Sequence, residues 1–326
     1  MRHRARGRRV TTATAAAVLA AAMTAVLAAG CTTGNHPDDG HGHSRPSATP
    51  RPGGSGSVLA VKIDNVSAAR PQTGLRAADV VYAEQVEGGL SRLMAVYASR
   101  LPESVGPVRS ARESDLELLR QFDRPTLAFS GAQHKLLPLI GQAPLRGETP
   151  GNAADAYYRD TGRAAPHNLY LRPAALMPSP PGSAALTTGF HYGAAPSGGT
   201  PETTRTVRYP AARFTFTWSA GRSRWLVAMD GTPTVTADGK PVAPATVVVQ
   251  YVRVRDSAYH DALGNHTPYT ETVGSGKAEV LRDGKAFHAR WKRATAAGGT
   301  DFTVGDGTPL NFAAGQVWVV FARAAG

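Results

Sequence analysis

Arginine residues in the first third of the sequence occur where they could bind an anion. Arg109 and Arg112 flank the predicted start of a helix in the segment GPVRSARESDLELLRQF. The free N–H groups and the positive dipole end of a helix favour negative charge, and a planar guanidinium can hold two phosphate oxygens at once. The pattern predicts a phosphate or pyrophosphate site. Its candidate anion-binding residues are Arg109, Arg112, Ser110, Arg70 and Arg92.

The same arginines have a second interpretation, in which they stabilise the fold. Acidic residues are expected near the strand ends and turns of the same region, and carboxylates beside arginines are more often plain ion pairs than parts of a site. Arg109 and Arg112 would then pair with one or more of these acids in a buried polar network. The sequence leaves the two interpretations open.

Acids and histidines in this region are also candidate acid/base groups. Several carboxylates could converge on one edge of a sheet, where one of them would act as a general base, and two histidines are expected in loops from which an imidazole can reach a substrate. No spacing is diagnostic of a metal site, so the sequence predicts neither a metal nor a cofactor. The candidates are Asp64, Asp79, Glu84, Glu87, His134 and His167.

The elements that position these residues are mostly strands. Short, mostly apolar segments that begin at Val58, Asp79 and Arg92 are predicted to form β-strands. A helix follows, in which Ser110 and Glu113 form a capping-box pattern that places its start at Ser110. The order of strand, helix and strand indicates an α/β or α+β layer.

The second half of the chain has a different pattern. Residues 141–201 are rich in Gly, Pro and Ala and predict a long looped segment, and β-rich runs separated by Asp-Gly and Gly-Lys turns follow Arg205. We therefore expect an α+β protein with an α/β-like N-terminal domain containing a mixed sheet over residues 58–200. A β-rich C-terminal domain is expected over residues 201–326.

The N-terminus predicts export. Five arginines precede an apolar Ala-rich run that ends at Cys31, the only cysteine of the 326 residues. Leu27–Cys31 resembles the lipobox of bacterial signal peptides, which implies a signal peptide over residues 1–31 and a lipid-bearing (palmitate) Cys31. Residues 32–57 are polar and predict a disordered tether. The expected location is the outer face of the cytoplasmic membrane; Sec and twin-arginine export both stay open.

The net charge of the chain indicates which classes of partner it can bind. The formal net charge is +12, and removing the five arginines of residues 1–30 lowers it to +7. The remaining charge favours anionic lipid or an envelope polymer as partner. No arginine-rich run interleaved with aromatic residues suggests nucleic-acid binding, so nucleic acid is not expected.

Several long phrases resemble the YerB-like family of bacterial lipoproteins, which carry a two-part domain of unknown function. The phrases include VKIDNVSAARPQTGLRAADVVYAEQVEGGLSRLMAVY, VGPVRSARESD, APHNLY and the pairing of VGSGKAEVLRDGK with GQVW. The resemblance implies an exported lipoprotein without an established activity. A looser resemblance, in pattern only, links the chain to cell-wall ligases that use polyprenyl pyrophosphate carriers.

Two hypotheses follow for the function. The first is a non-catalytic binding or scaffold module of the cell envelope that recognises an anionic ligand or a protein partner. The alternative is a phosphotransferase or hydrolase that acts on a lipid-linked (pyro)phosphate cell-wall substrate. The sequence leaves open whether the chain is an enzyme. An open cleft lined by the arginines would favour the enzyme, and a closed network of ion pairs would favour a structural role.

Overall fold

The computed structural model describes residues 56–260 and 264–325, so the predicted signal peptide, Cys31 and nearly all of the tether lie outside the described residues. The three α-helices of this part are short: α1 (Glu113–Leu119), α2 (Leu137–Gln142) and α3 (Pro173–Leu176). The strands are β1 (Leu59–Asp64), β2 (Val80–Gln85), β3 (Ser91–Tyr97), β4 (Thr126–Ala128), β5 (Arg146–Glu148), β6 (Tyr157–Arg159), β7 (Leu169–Leu171), β8 (Thr200–Pro201), β9 (Thr204–Arg208), β10 (Arg213–Ser219), β11 (Arg224–Met229), β12 (Thr232–Pro233), β13 (Thr246–Val252), β14 (Val254–His260), β15 (His266–Thr270), β16 (Gly274–Arg282), β17 (Lys285–Arg293), β18 (Asp301–Thr303) and β19 (Val317–Arg323).

One large mixed sheet runs through both halves of the chain. Its order is β18-β17-β16-β13-β19-β2-β3-β1-β4-β5, and β8 also pairs with β17. The central strands β13, β19 and β2 are parallel to one another, as are β1, β4 and β5. Strand β3 is antiparallel to both β1 and β2, so those two strands point in the same direction. The carboxyl ends of β1, β2 and β4 therefore lie at one edge of the sheet.

Both faces of this sheet are buried, which explains why its central strands are apolar along most of their length. Alternate residues of β19 enter two different cores: Trp318 and Val320 pack on one side, and Val319 and Phe321 on the other. The first core is covered by a second sheet, in the order β12-β11-β10-β9, which contributes Phe214, Phe216 and Trp225. The second core is covered by α1 and by aromatic residues of the C-terminal half, among them Phe302 and Phe312.

The architecture is α+β, with few helices and many strands, as the sequence predicts. Two further pairs, β6–β7 and β14–β15, form small separate hairpin sheets. Within residues 56–260 and 264–325, none of the helices is both long enough and apolar enough to span a bilayer.

The start of α1 differs from the prediction. The helix begins at Glu113 after the cap residue Arg112, and the residue that accepts the Arg112 N–H is Asp115, at 2.7 Å. The expected Ser110–Glu113 capping box is therefore wrong. Ser110 lies in an extended segment whose neighbours Arg109 and Ala111 exchange backbone hydrogen bonds with residues 130 and 131. The amide of the cap residue Arg112 is occupied by Asp115 of the same helix, so this amide is not free to bind an anion.

Candidate functional site

A cleft of about 710 Å³ lies at the edge of the sheet where β1, β2 and β4 end. Loops that follow parallel strands meet at such an edge, which is where open α/β sheets commonly bind ligands. Asp64 ends β1, Glu87 follows β2, and Gln133 follows β4, and all three line the cleft. Seven of the residues predicted from sequence meet there: Asp64, Glu87, Arg92, Arg109, Ser110, Arg112 and His167.

Arg112 contacts protein partners through all three nitrogens of its guanidinium. Its Nε and Nη2 donate to Oε1 and Oε2 of Glu87, at 2.6 and 2.7 Å, and its Nη1 donates to the Ala111 carbonyl at 2.9 Å. Gly88 and Gly89 have φ values of 65° and 71°, a conformation open to glycine, and they turn the chain so that Glu87 lies over the cleft. Thr267 donates a further hydrogen bond to Glu87 at 2.6 Å. Arg112 thus fits the structural interpretation.

The Glu87 carboxyl is charged because of these contacts. Burial by itself would raise its pKa, but the hydrogen bonds and the charge of Arg112, together with the Thr267 hydroxyl, outweigh burial and hold the pKa below the ordinary value. Glu87 and Arg112 therefore form a closed ion pair on one wall of the cleft.

Asp64 holds two other cleft residues together. Its Oδ2 lies 2.8 Å from Nδ1 of His167 and 3.1 Å from Nε of Arg109. Asp64 is almost completely buried, while the side chains of His167 and Arg109 are 20% and 28% exposed. The carboxylate therefore lies behind the two basic side chains, which face the cleft.

Arg92 is the third arginine of the cleft. It comes from β3, and its Nη1 donates to the Ser110 carbonyl at 3.0 Å. Burial, together with the positive charges of Arg112 and Arg109, lowers the pKa of Arg92 to about 9, against the opposing charges of Glu87 and Asp64. The guanidinium is still cationic at neutral pH and lies among like charges, so its electrostatic environment favours an added anion.

A buried lysine lies next to the cleft residues on the same strands. Lys62 contacts the carboxylates of Glu84 and Asp115, the latter at 2.7 Å, and all three side chains are buried. Burial lowers the pKa of Lys62 to about 8, against the opposing charge and hydrogen bond of Asp115. Because Asp115 also caps α1 at Arg112, this network fixes the segment that carries Arg109 and Arg112.

Four predicted residues lie away from the cleft. Arg70 binds the Asn65 carbonyl at 2.7 Å and Asp230 at 2.8 Å, so it ties the first half of the chain to the turn after β11. Asp79 lies at the opposite end of β2, where it accepts from the backbone N–H groups of residues 98 and 99. Glu84 is buried against Lys62, and His134 is exposed and does not line the cleft.

Other cleft residues come from a distant part of the sequence. Tyr259, His260 and Thr267 belong to the β14–β15 hairpin, which covers one side of the cleft. Gln133 donates to the His260 carbonyl at 2.6 Å and so joins this hairpin to the loop after β4. No local pattern identifies these residues, because their role depends on long-range packing. Apolar side chains complete the walls: Val66, Val86, Leu90, Ala111, Ala132 and Leu136.

The side chains that line the cleft suit an anion better than a metal ion. Among the described residues, no group of three or more His, Cys, Asp or Glu side chains is arranged to hold a metal. The unoccupied hydrogen-bond donors belong to arginines, which do not bind metals.

Family models, a relative and a solved structure match large parts of this chain. The N-terminal domain described as "Protein of unknown function (DUF3048)" matches residues 47–184, and the C-terminal domain of the same description matches residues 205–319. The Bacillus subtilis (strain 168) protein named "Putative lipoprotein YerB" is 27% identical over an alignment of 284 residues, and the match covers 80% of this chain and 80% of that protein. The crystal structure of the YerB protein from Bacillus subtilis matches with a TM-score of 0.67 at 22% identity and covers 81% of this chain and 90% of that one.

The solved structure supports the fold described above, and the two domain matches together cover most of the chain in the order expected for the family. The chain belongs to the DUF3048 family of proteins of unknown function and carries both its N-terminal and its C-terminal domain.

Proposed function

We propose that this protein is an exported, lipid-anchored binding module of the cell envelope, held at the outer face of the cytoplasmic membrane through Cys31, and that its cleft binds an anionic ligand. The name of the Bacillus subtilis relative supports the lipoprotein part, together with the single cysteine at the end of an export signal. The ligand class is a phosphate or pyrophosphate.

One observation carries the binding proposal: two cleft arginines have hydrogen-bond donors to spare. Within residues 56–260 and 264–325, the Arg109 side chain makes an ion pair with Asp64 through Nε, at 3.1 Å, and donates no further hydrogen bond, and Arg92 donates only to the Ser110 carbonyl. A guanidinium has five N–H donors. Both side chains line a cleft with apolar walls, so a bound phosphate group would receive charged hydrogen bonds in a partly desolvated place, where such bonds are strongest.

Thermal unfolding of the full-length chain in a mild detergent tests this proposal. Pyrophosphate and a short prenyl pyrophosphate should raise the unfolding midpoint saturably, because a ligand that binds only the folded state stabilises it by mass action. Arg109→Gln should keep the fold and lose most of this shift. Arg120→Gln makes the same charge change at an exposed position outside the cleft and should keep it.

Two outcomes of this experiment would contradict the binding proposal. If neither anion shifts the midpoint of the parent chain, the cleft does not bind phosphate groups. If Arg109→Gln and Arg120→Gln lose the shift equally, the effect belongs to the net charge of the protein and not to the cleft.

A second candidate function is the hydrolysis or transfer of the phosphate group, and the Asp64–His167 pair favours it. When the imidazole is neutral and donates Nδ1–H to Asp64, Nε2 carries a lone pair and can accept a proton. Nε2 would take a proton from water or an acceptor hydroxyl as that oxygen bonds to phosphorus, and the bond from phosphorus to the leaving oxygen would break. The leaving oxygen departs on the opposite side of phosphorus, so the imidazolium would release its proton to solvent, and Arg92 and Arg109 would stabilise the charge on the phosphoryl oxygens.

The variant His167→Asn separates the two candidates. Its amide can replace Nδ1–H toward Asp64 but offers no counterpart of Nε2. An enzyme should lose phosphate release from a prenyl pyrophosphate by roughly a hundredfold or more, while its affinity for pyrophosphate stays within about threefold. If the parent chain binds pyrophosphate and releases no phosphate from the prenyl substrate, the enzymatic candidate fails and the binding module stands.

A further inference from the structure

We propose a second binding surface, separate from the cleft, that takes an extended polyanion of the phosphodiester type. It is formed by four exposed cations, three of them on two neighbouring strands of the large sheet and one just after the end of a third strand: Lys277, Arg290, Lys292 and Arg253. These four residues are called the basic ladder below. They lie after β13 and on β16 and β17, and none of them lines the cleft.

The pairing of β16 with β17 determines which side chains share a face. Lys277 lies directly opposite Arg290, Ser275 lies opposite Lys292, and Glu279 lies opposite His288. Residues opposite one another in an antiparallel pair project from the same side of the sheet, with Cβ atoms about 5 Å apart. The ladder therefore presents two cations side by side and a third one two residues along the strand, about 7 Å away.

Cations placed side by side in this way lower the stability of the folded protein unless negative charges compensate them. Like charges directly opposite each other in a sheet are destabilising. Within the described residues, none of the four ladder side chains makes an ion pair or a side-chain hydrogen bond. The nearby acids have other partners: Glu279 pairs with Arg205 at 3.0 Å, and Glu271 pairs with Arg255 at 3.0 Å. Asp301 on β18 lies directly opposite Lys292 and offsets part of the charge of the ladder, but it forms no ion pair with Lys292 among the described residues.

Two grooves flank the basic ladder, so its cations lie along an extended path on the surface. One, of about 700 Å³, is lined by Arg253, Lys277 and Arg323, and the other, of about 490 Å³, by Arg290 and Lys292. The grooves share Ser275 and Trp291. A single phosphate spans too little distance to contact all of these cations, whereas a chain with regularly repeated negative charges can contact them in turn. The geometry thus favours a polymer over a small anion.

A polymer also fits this surface better than a membrane does. Proteins that lie on a bilayer usually insert apolar side chains beside their basic residues. The large apolar side chains exposed in the described chain lie elsewhere, at Leu90, Leu137, Leu139, Tyr192 and Val235. Among the described residues, no large apolar side chain is exposed beside the ladder, and Trp291, which lines both grooves, is buried.

The proposal is tested by measuring how tightly the full-length chain binds lipid-free poly(glycerol phosphate). Binding to orthophosphate and to phosphatidylglycerol vesicles is measured for comparison. We expect binding to the polymer that weakens linearly with salt on a log–log scale. The triple variant Lys277→Gln/Arg290→Gln/Lys292→Gln should lose roughly tenfold or more in affinity, and its salt slope should fall by about two, since each lost contact contributes about 0.7 for a flexible chain.

A matched variant controls for net charge. Lys135→Gln/Arg208→Gln/Arg222→Gln removes three exposed cations from other parts of the chain and should keep both the affinity and the slope of the parent. Equal losses in the two triple variants would overturn the proposal, as would binding to the vesicles without binding to the polymer. Saturation of the ladder by orthophosphate at the affinity of the polymer would also overturn it. The unfolding midpoint of the ladder variant should equal or exceed that of the parent, so misfolding is readily recognised.

Discussion

The guanidinium of Arg112 and the carboxylate of Glu87 bind each other through two parallel hydrogen bonds, and both side chains are largely buried. Breaking a buried pair leaves one charge without compensation, which costs about 3–5 kcal/mol. We therefore expect Glu87→Gln to lower the free energy of unfolding by about 3 kcal/mol, measured by urea denaturation.

An exposed pair of the same chemistry is the control for this prediction. Arg255 and Glu271 are 43% and 29% exposed, and pairs of this kind contribute less than about 1 kcal/mol. Glu271→Gln should therefore change the free energy of unfolding only slightly. Equal effects of the two substitutions would mean that Arg112 is not held by Glu87 in solution.

The same ion pair should make stability depend on pH in the acid range. The pKa of Glu87 lies below its ordinary value of 4.5 in the folded protein. A depressed carboxyl pKa contributes stability that is fully present above the unfolded value and is lost as the pH falls through the folded value. We expect the difference in unfolding free energy between the parent and Glu87→Gln to be constant above about pH 5 and to shrink below pH 4.5. A difference that stays constant down to pH 3 contradicts the assignment.

Lys62 gives a prediction at the other end of the pH scale. Burial lowers its pKa from 10.5 to about 8, so between these values the unfolded chain holds a proton that the folded chain releases. Stability contributed by this group therefore rises with pH across that window. In Lys62→Met this rise should be absent, as urea unfolding at a series of pH values would show.

The Lys62→Met substitution should also be destabilising, because it leaves Glu84 and Asp115 buried without their cation. The expected loss is about 3–5 kcal/mol. Adding Glu84→Gln removes one of the two uncompensated charges and should recover part of the loss. A double variant that is less stable than the single variant would show that Glu84 has another essential partner.

The parts of this structure that sequence predicts are those determined by local pattern. The apolar runs ending at Asp64 and beginning at Arg92 predict β1 and β3, and the arginines and acids at their ends indicate where side chains meet. The cap of α1 is less predictable, because Glu113 and Asp115 both lie in the first turn and only the structure shows that Asp115 accepts the Arg112 N–H. Lys62 also carries a local signal, since a lysine inside an apolar strand needs a buried partner.

Contacts between distant parts of the chain are not encoded in any local pattern. Thr267 lies 180 residues from Glu87 and still donates to its carboxylate. Asp79 and Glu84 lie at opposite ends of one strand, so a shared strand does not place them in one site. The basic ladder is the exception, because the register of β16 and β17 is fixed by the two-residue Asp-Gly turn between Arg282 and Lys285, which is a local signal.

Lys277→Glu should stabilise the protein if the ladder is electrostatically strained. The substitution replaces a like-charge pair with an opposite-charge pair facing Arg290, and such cross-strand pairs differ by about 0.2–1 kcal/mol. The gain should disappear in the Arg290→Gln background, which a double-mutant cycle measures. A gain of the same size in both backgrounds would mean that Lys277 and Arg290 do not interact.

Asp64→Asn distinguishes a binding site from a catalytic one within the cleft. The substitution keeps the shape of the side chain and removes a negative charge beside Arg109 and His167. An anion in the cleft should then bind roughly tenfold more tightly, a gain of about 1.4 kcal/mol, which isothermal titration with pyrophosphate would detect. If the cleft is catalytic, turnover should fall although affinity rises, because the imidazole loses the carboxylate that orients it. Asp123→Asn, an equal charge change at an exposed position, should leave the affinity within about twofold, and an unchanged affinity in folded Asp64→Asn would place the bound anion away from Arg109.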